Sequence, residues 1–120
     1  MIDAGIGEQL RALSRDNPER LAEFVLVFVA SMGGRIACLQ DAAAGGDLAV
    51  VASMADRIHN GSAFVGARRL AEACARLADR GPALATQGIG DLVQRVVDEY
   101  DRVETALKGL LADGGPAAAG

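Results

Sequence analysis

The sequence predicts an all-α protein: an up-down antiparallel four-helix bundle with a short extra helix at the N-terminus. Half of the residues (51%) are hydrophobic but only 3% are aromatic, and such small side chains favour closely packed helices over a sheet. Apolar residues recur every three or four positions along most of the chain, which indicates amphipathic helices. Short connections between these segments are typical of an up-down bundle. A chain of 120 residues is one domain by length. We assign 1–113 to the bundle and expect 114–120 to be a disordered tail.

Residues 3–15 form the predicted first helix, which Asp3 can cap. A long second helix runs from Pro18 to about Ala44, because Asn17 suits the N-cap and proline suits the first helical position. The residues that share its core stripe are Leu21, Phe24, Val25, Phe28, Met32, Ile36 and Leu39.

Two features of the second helix need an explanation beyond a single core stripe. Leu26, Val27 and Val29 widen its apolar surface, so we expect them to pack under the first helix or to form an exposed patch for a partner. Gly33 and Gly34 each cost about 1 kcal/mol relative to alanine inside a helix. They predict a bend or a close approach by a neighbouring backbone.

Three further helices complete the predicted bundle. Asp47 can cap a third helix over 48–63, and a fourth helix over 67–80 stops at Gly81-Pro82. The last helix spans about 89–111 after a loop. The predicted core positions of the third and fourth helices are Leu48, Val51, Ala55, Ile58 and Ser62, then Ala67, Leu70, Cys74 and Leu77.

Composition excludes several functions. The net charge is −4 and no run of basic residues occurs, which argues against nucleic-acid binding. No signal peptide is visible, and the most apolar window, Leu21 to Met32, is shorter than the roughly 20 residues that cross a bilayer. We therefore expect a soluble cytoplasmic protein that does not bind membranes.

Cys38 and Cys74 each lie on an apolar stripe, so we expect buried free thiols, no metal site and no cofactor.

The stretch from Asp47 to Leu77 resembles the centre of a histidine-containing phosphotransfer (HPt) domain. That family carries a pattern close to A-H-x-L-K-G-x-x-x-x-x-G-A-x-x-L-x-x-x-C-x-x-L, and the upstream Gly46-Asp47-Leu48 fits the family's entry to this helix. The gapless matches are Ala55, Ile58, Gly66, Ala67, Leu70, Cys74 and Leu77. The chain departs from the pattern at the reactive positions. Asp56 stands where the family has its phosphorylated histidine, His59 where it has lysine, and Asn60 where it has glycine.

The resemblance implies a role in a two-component phosphorelay. In the family, a histidine midway along a bundle helix accepts a phosphoryl group from a receiver-domain aspartate and passes it on. The implied partners are a response-regulator receiver domain, a hybrid histidine kinase, or both. The implied chemistry is at most that of a phosphohistidine carrier, rather than a conventional enzyme, and the oligomeric state stays open.

The first of three interpretations makes His59 itself the phosphoacceptor, shifted along the helix by about 4.5 Å from position 56. Asp56 could hydrogen-bond one ring nitrogen and leave the other free as the nucleophile. Asn60 and Gly61 would keep the approach open, and Arg57 could supply positive charge.

Two other interpretations also fit the residues. The Asp56 carboxylate would repel a phosphoryl group and favour a protonated, non-nucleophilic ring, which points to a docking module that binds a receiver or kinase without accepting phosphate. Alternatively, the bundle serves an unrelated interaction and His59 is an ordinary surface histidine. In the first two interpretations Ala63 continues the row of Asp56 and His59. The arginines that surround this flank and could steer an acidic receiver are Arg57, Arg68, Arg69 and Arg76.

Overall fold

The computed structural model describes residues 8–80 and 86–114, and these form five α-helices. The all-α prediction is confirmed, since no strand occurs in either range. The described chain forms a rod of 50 × 24 × 18 Å. The helices are α1 (Glu8–Asp16), α2 (Pro18–Gly45), α3 (Leu48–Val65), α4 (Arg68–Arg80) and α5 (Thr86–Gly114).

The four long helices pack as a ring. Each of α2, α3, α4 and α5 contacts two neighbours, in the order α2–α3–α4–α5 and back to α2, while α1 lies against α2 and α5. Helices α2 and α4 are therefore diagonal to each other. Two residues join α2 to α3 and two join α3 to α4, and such short links connect antiparallel neighbours.

The core follows the predicted stripes. Ser62 is buried as expected, and its hydroxyl donates a 2.6 Å hydrogen bond to the carbonyl of Ile58. Two predicted core positions are not fully buried. Phe24 is half-buried, and Leu48 is 39% exposed because it is the first residue of α3 and lies beyond the packed part of the bundle. The largest fully buried side chains include Leu21, Met32, Leu39, Ile58, Leu70, Leu77 and Leu107.

Predicted caps begin α2 and α3. The Asn17 side chain accepts a hydrogen bond from the Arg20 amide at 3.1 Å, and the Asp47 side chain accepts one from the Val50 amide at 3.3 Å. Each satisfies one of the amides that a helix N-terminus leaves unpaired. Gly46, with φ of 75°, ends α2 in the left-handed conformation typical of a C-cap.

Some predicted boundaries were too short. Helix α3 continues to Val65, where Gly66 with φ of 77° ends it, and α5 begins at Thr86 rather than near residue 89. The predicted cap Asp3, the stop at Gly81-Pro82 and tail residues 115–120 lie outside the described residues.

The two mid-helix glycines lie in an uninterrupted helix. A side chain added at Gly33 or Gly34 would meet no atom within 4 Å, so the predicted close approach of a neighbouring backbone is wrong. The widened apolar surface is only partly covered: Val29 is half-buried, but Leu26 is 74% and Val27 68% exposed. The alternative of an exposed patch is therefore the correct one for those two residues.

One of the two cysteines is not buried. Cys74 is buried in the bundle, as predicted, but Cys38 is exposed. Cys38 precedes the buried Leu39 by one position, which is about 100° around the helix and away from the core.

Among the described helices, α2 alone is long and apolar enough to cross a membrane by length and composition. The apolar segment, which includes charged residues, is thus longer than the Leu21–Met32 window suggests. Only 28% of its most apolar 18 residues are buried. The buried residues of α2, including Leu21, Met32 and Leu39, form the stripe that packs in the bundle core.

Alanine at Gly66 should destabilise the protein, whereas alanine at Gly33 should stabilise it. Gly66 has a positive φ, which costs a non-glycine residue roughly 1–2 kcal/mol. Gly33 has open space around it within a regular helix, where alanine is better by roughly 0.5–1 kcal/mol. Urea unfolding followed by circular dichroism measures both changes. Equal effects of the two substitutions would contradict the conformational explanation.

Candidate functional site

Asp56 and His59 line one groove between α3 and α4. They lie three residues apart, so they share one flank of α3, and the groove they line has a volume of about 350 Å³. The other lining residues are Ala55 from α3 and Cys74, Ala75, Ala78 and Asp79 from α4.

The two polar residues of α3 do not form a hydrogen bond or ion pair with each other. Asp56 is exposed and His59 is half-buried. Within residues 8–80 and 86–114, neither side chain takes part in a hydrogen bond or ion pair. The hydrogen bond by which Asp56 would fix the ring tautomer is therefore not formed in this structure, and both ring nitrogens of His59 lack a protein partner among the described residues.

Asp79 supplies a second carboxylate to the groove, and sequence reasoning missed it. The signal that could have found it is the two-residue link at Gly66-Ala67, because a tight helical hairpin brings residues at similar distances from the turn near each other. Asp56 lies ten residues before Gly66 and Asp79 twelve residues after Ala67. No arginine or lysine lines this groove, so His59 lies in an acidic setting.

Two arginines of α4 face a different groove. Arg69 and Arg76, which the sequence suggested would surround the histidine flank, line a cavity of about 190 Å³ between α4 and α5. It also contains Arg95 and the buried Glu99, whose carboxylate lies 4.0 Å from the Arg102 guanidinium. These charged side chains therefore lie on the opposite side of α4 from His59.

The remaining predicted site residues divide between two faces of α3 and the start of α4. Ala63 is exposed and lies one turn beyond His59, on the same flank. Gly61 is about 200° around the helix from His59, where an added Cβ would lie 3.1 Å from the Met32 sulfur. Gly61 therefore allows close packing against α2.

Arg57, Asn60 and Arg68 are exposed. None of them lines the groove that contains His59. Among the described residues no group of three histidine, cysteine or acidic side chains is arranged to hold a metal ion.

The two cysteines should differ sharply in reactivity with a thiol reagent. Burial raises the pKa of Cys74, which lies in the wall of the groove, from 9.0 to about 12, and only the thiolate is nucleophilic. At pH 8 we expect rapid labelling of Cys38 and labelling of Cys74 only at the rate of unfolding. Because ionisation is disfavoured in the folded state, this thiol should also reduce stability as pH rises from 9 toward 12.

Mass spectrometry of each cysteine over time in a maleimide reagent tests the difference, with Cys38→Ser as the control that leaves one thiol. Fast labelling of Cys74 in the folded protein would contradict the buried placement.

Comparison with family models gives a match to the Hpt domain over residues 23–111, about three quarters of the chain. The matched region contains all of α3 and α4 and most of α2 and α5. No match was found among curated proteins or among solved structures. The helical bundle, the pattern from Asp47 to Leu77 and this family match agree, and the chain belongs to the Hpt domain family.

Proposed function

We propose that this protein docks a receiver domain at the α3–α4 groove and acts there as a docking module that does not itself carry phosphate. Its family membership implies phosphotransfer in two-component signalling, and Hpt domains in general interact with receiver domains and kinases. The observation that favours docking over phosphate relay is the acidic character of the groove. Asp56 and Asp79 both line it with His59, and no arginine or lysine does.

The charges of the groove disfavour a phosphorylated His59. A phosphoryl group brings close to two negative charges at neutral pH. Each pair of like unit charges at 4 Å costs about 1 kcal/mol in water and about 4 kcal/mol near a protein surface. Asp56 and Asp79 would both contribute to this repulsion, and no cation in the groove offsets it. Binding of a receiver without phosphotransfer does not place a phosphoryl group on His59, so it avoids this repulsion.

The surface around the groove suits contact with an acidic partner. Arg57 and Arg68 are exposed, and such charges raise the rate of association with an oppositely charged domain. Ala63 and the alanines of the groove are small, so a partner can approach the helix backbone closely. Hpt-domain proteins are typically soluble, and a receiver-docking role would place this one in the cytoplasm.

Phosphate relay through His59 is the second candidate. It is favoured by one observation: within the described residues both ring nitrogens are free of partners, and the ring borders an open groove. A free ring nitrogen is what nucleophilic attack on an acyl phosphate requires.

One experiment separates the two candidates. The purified chain is mixed with each receiver domain of the source genome, phosphorylated with radioactive phosphate, and both binding and acid-labile label are measured. Docking alone predicts binding with a dissociation constant of about 1–100 μM and no label on the chain. His59→Gln should bind equally well.

Label on the wild-type chain that disappears in His59→Gln would establish relay instead. If no receiver binds the wild-type chain or the variant, the docking proposal is wrong.

A further inference from the structure

A stripe of exposed residues runs along the side of α2 that faces away from the bundle. We call it the outer stripe. Its positions repeat at about every seventh residue, the spacing by which one helix face stays turned toward a partner helix. It is long, about 31 Å from end to end at 1.5 Å per residue. All of its members are exposed: Arg20, Glu23, Val27, Ala30, Ser31, Gly34, Cys38 and Asp41.

The middle of the outer stripe is uncharged and partly apolar. No charged residue belongs to it between Glu23 and Asp41. Val27 is 68% exposed, and Leu26 at its margin is 74% exposed. Gly34 makes the helix less stable than alanine would, yet no atom outside the adjacent helix backbone lies within 4 Å of where its Cβ would be. Nothing in the described monomer makes use of this surface.

We propose that the outer stripe binds a second copy of this chain, with the two α2 helices antiparallel and a two-fold axis between Ala30 and Ser31. Such an interface places the same patch of both copies face to face. Val27 then lies opposite Gly34 of the second copy, so the branched side chain fills the space that glycine leaves. Ala30 lies opposite Ser31 of the second copy, and these small residues allow the helices to approach closely.

The charges at the two ends of the outer stripe fit this arrangement. Arg20 at one end lies opposite Asp41 of the second copy, and the pair occurs twice. Glu23, one turn from Arg20 on its own helix, lies on the other side of the same guanidinium. Within the described residues none of these three side chains has an ion-pair partner. A parallel arrangement would instead oppose Arg20 to Arg20 and Asp41 to Asp41, which is unfavourable.

A protein partner fits this surface better than a membrane. Helix α2 is apolar enough to cross a bilayer, but Leu21, Met32 and Leu39 are at most 1% exposed in the core, and extraction would expose them. Binding at the surface of an anionic membrane is also unfavourable, because Glu23 and Asp41 border the apolar part and the chain carries a net charge of −4.

Sedimentation equilibrium between 1 and 500 μM (concentrations of the order set by micromolar affinity) tests the proposal. We expect a concentration-dependent shift from 12.3 kDa to twice that mass. Asp41→Arg alone and Arg20→Asp alone should each weaken dimerisation by about tenfold or more, since each brings like charges together. The double variant Arg20→Asp/Asp41→Arg should restore it.

Disulfide crosslinking tests the direction of the helices. Antiparallel packing holds the two Cys38 residues far apart, so mild oxidation of the wild-type protein should give no crosslinked dimer. Ser31→Cys in a Cys38→Ser background lies near the two-fold axis and should crosslink rapidly. A monomer at 500 μM (the upper limit chosen above), failure of the charge exchange to restore dimers, crosslinking through Cys38, or binding of the wild-type chain to anionic vesicles would each overturn the proposal.

Discussion

Replacing Asp56 with histidine and His59 with lysine together should convert the protein into a phosphoacceptor. The change puts an imidazole at an exposed position of α3, removes one of the two carboxylates of the groove and introduces a cation one turn away. With a phosphorylated receiver in excess, we expect acid-labile label to rise from none to nearly one phosphate per chain. Adding Asp79→Asn should prolong the life of the label, because it removes the remaining carboxylate.

Two controls isolate the cause of this gain. His59→Lys alone contains no histidine and should stay unlabelled. Asp56→Asn/His59→Lys matches the charge change without supplying a nucleophile, so it should also stay unlabelled. If the double variant binds the receiver as tightly as the wild type but gains no label, the prediction is wrong, and phosphotransfer requires other residues besides these two.

Truncating Leu39 to alanine should cost about 2–5 kcal/mol of unfolding free energy. Leu39 is fully buried in the core, so the change removes apolar contacts and leaves a cavity that neighbouring helices fill only in part. This loss is a large share of the 5–15 kcal/mol that typically holds a domain folded. Urea titration of both proteins at 25 °C, followed by circular dichroism, gives the difference directly.

The same substitution at Leu26 is the matched control. Leu26 lies on the same helix but is 74% exposed, so Leu26→Ala should change stability by less than about 0.5 kcal/mol. Similar losses at the two positions would mean that the α2 surface assigned to solvent is covered in solution. Dilute protein is needed, so that self-association does not add to the measured stability.

The helices could be predicted because each carries its own local signals. Asn17 with Pro18, and Asp47 after two glycines, identify the starts of α2 and α3 regardless of what packs on them. The core stripe also follows from helical period alone. Leu48 and Cys38 were assigned to the core wrongly, because residues at a helix end or just off a stripe depend on which neighbour covers them.

The candidate site could be predicted only in part, because it combines two helices. The row of Asp56, His59 and Ala63 lies on α3 alone, so residue spacing was enough to predict it. Asp79 comes from α4, and the side of α4 that carries Arg69 and Arg76 is fixed by packing against α5. These placements depend on how one helix is rotated against the next, which periodicity does not specify.

The ring order of the helices makes the two proposed surfaces genetically separable. The groove lies between α3 and α4, while the outer stripe lies on α2, diagonal to α4. An allele such as Asp41→Arg should therefore leave receiver binding intact, and changes in the groove should leave self-association intact. Cells carrying one allele or the other would reveal which phenotype belongs to which contact.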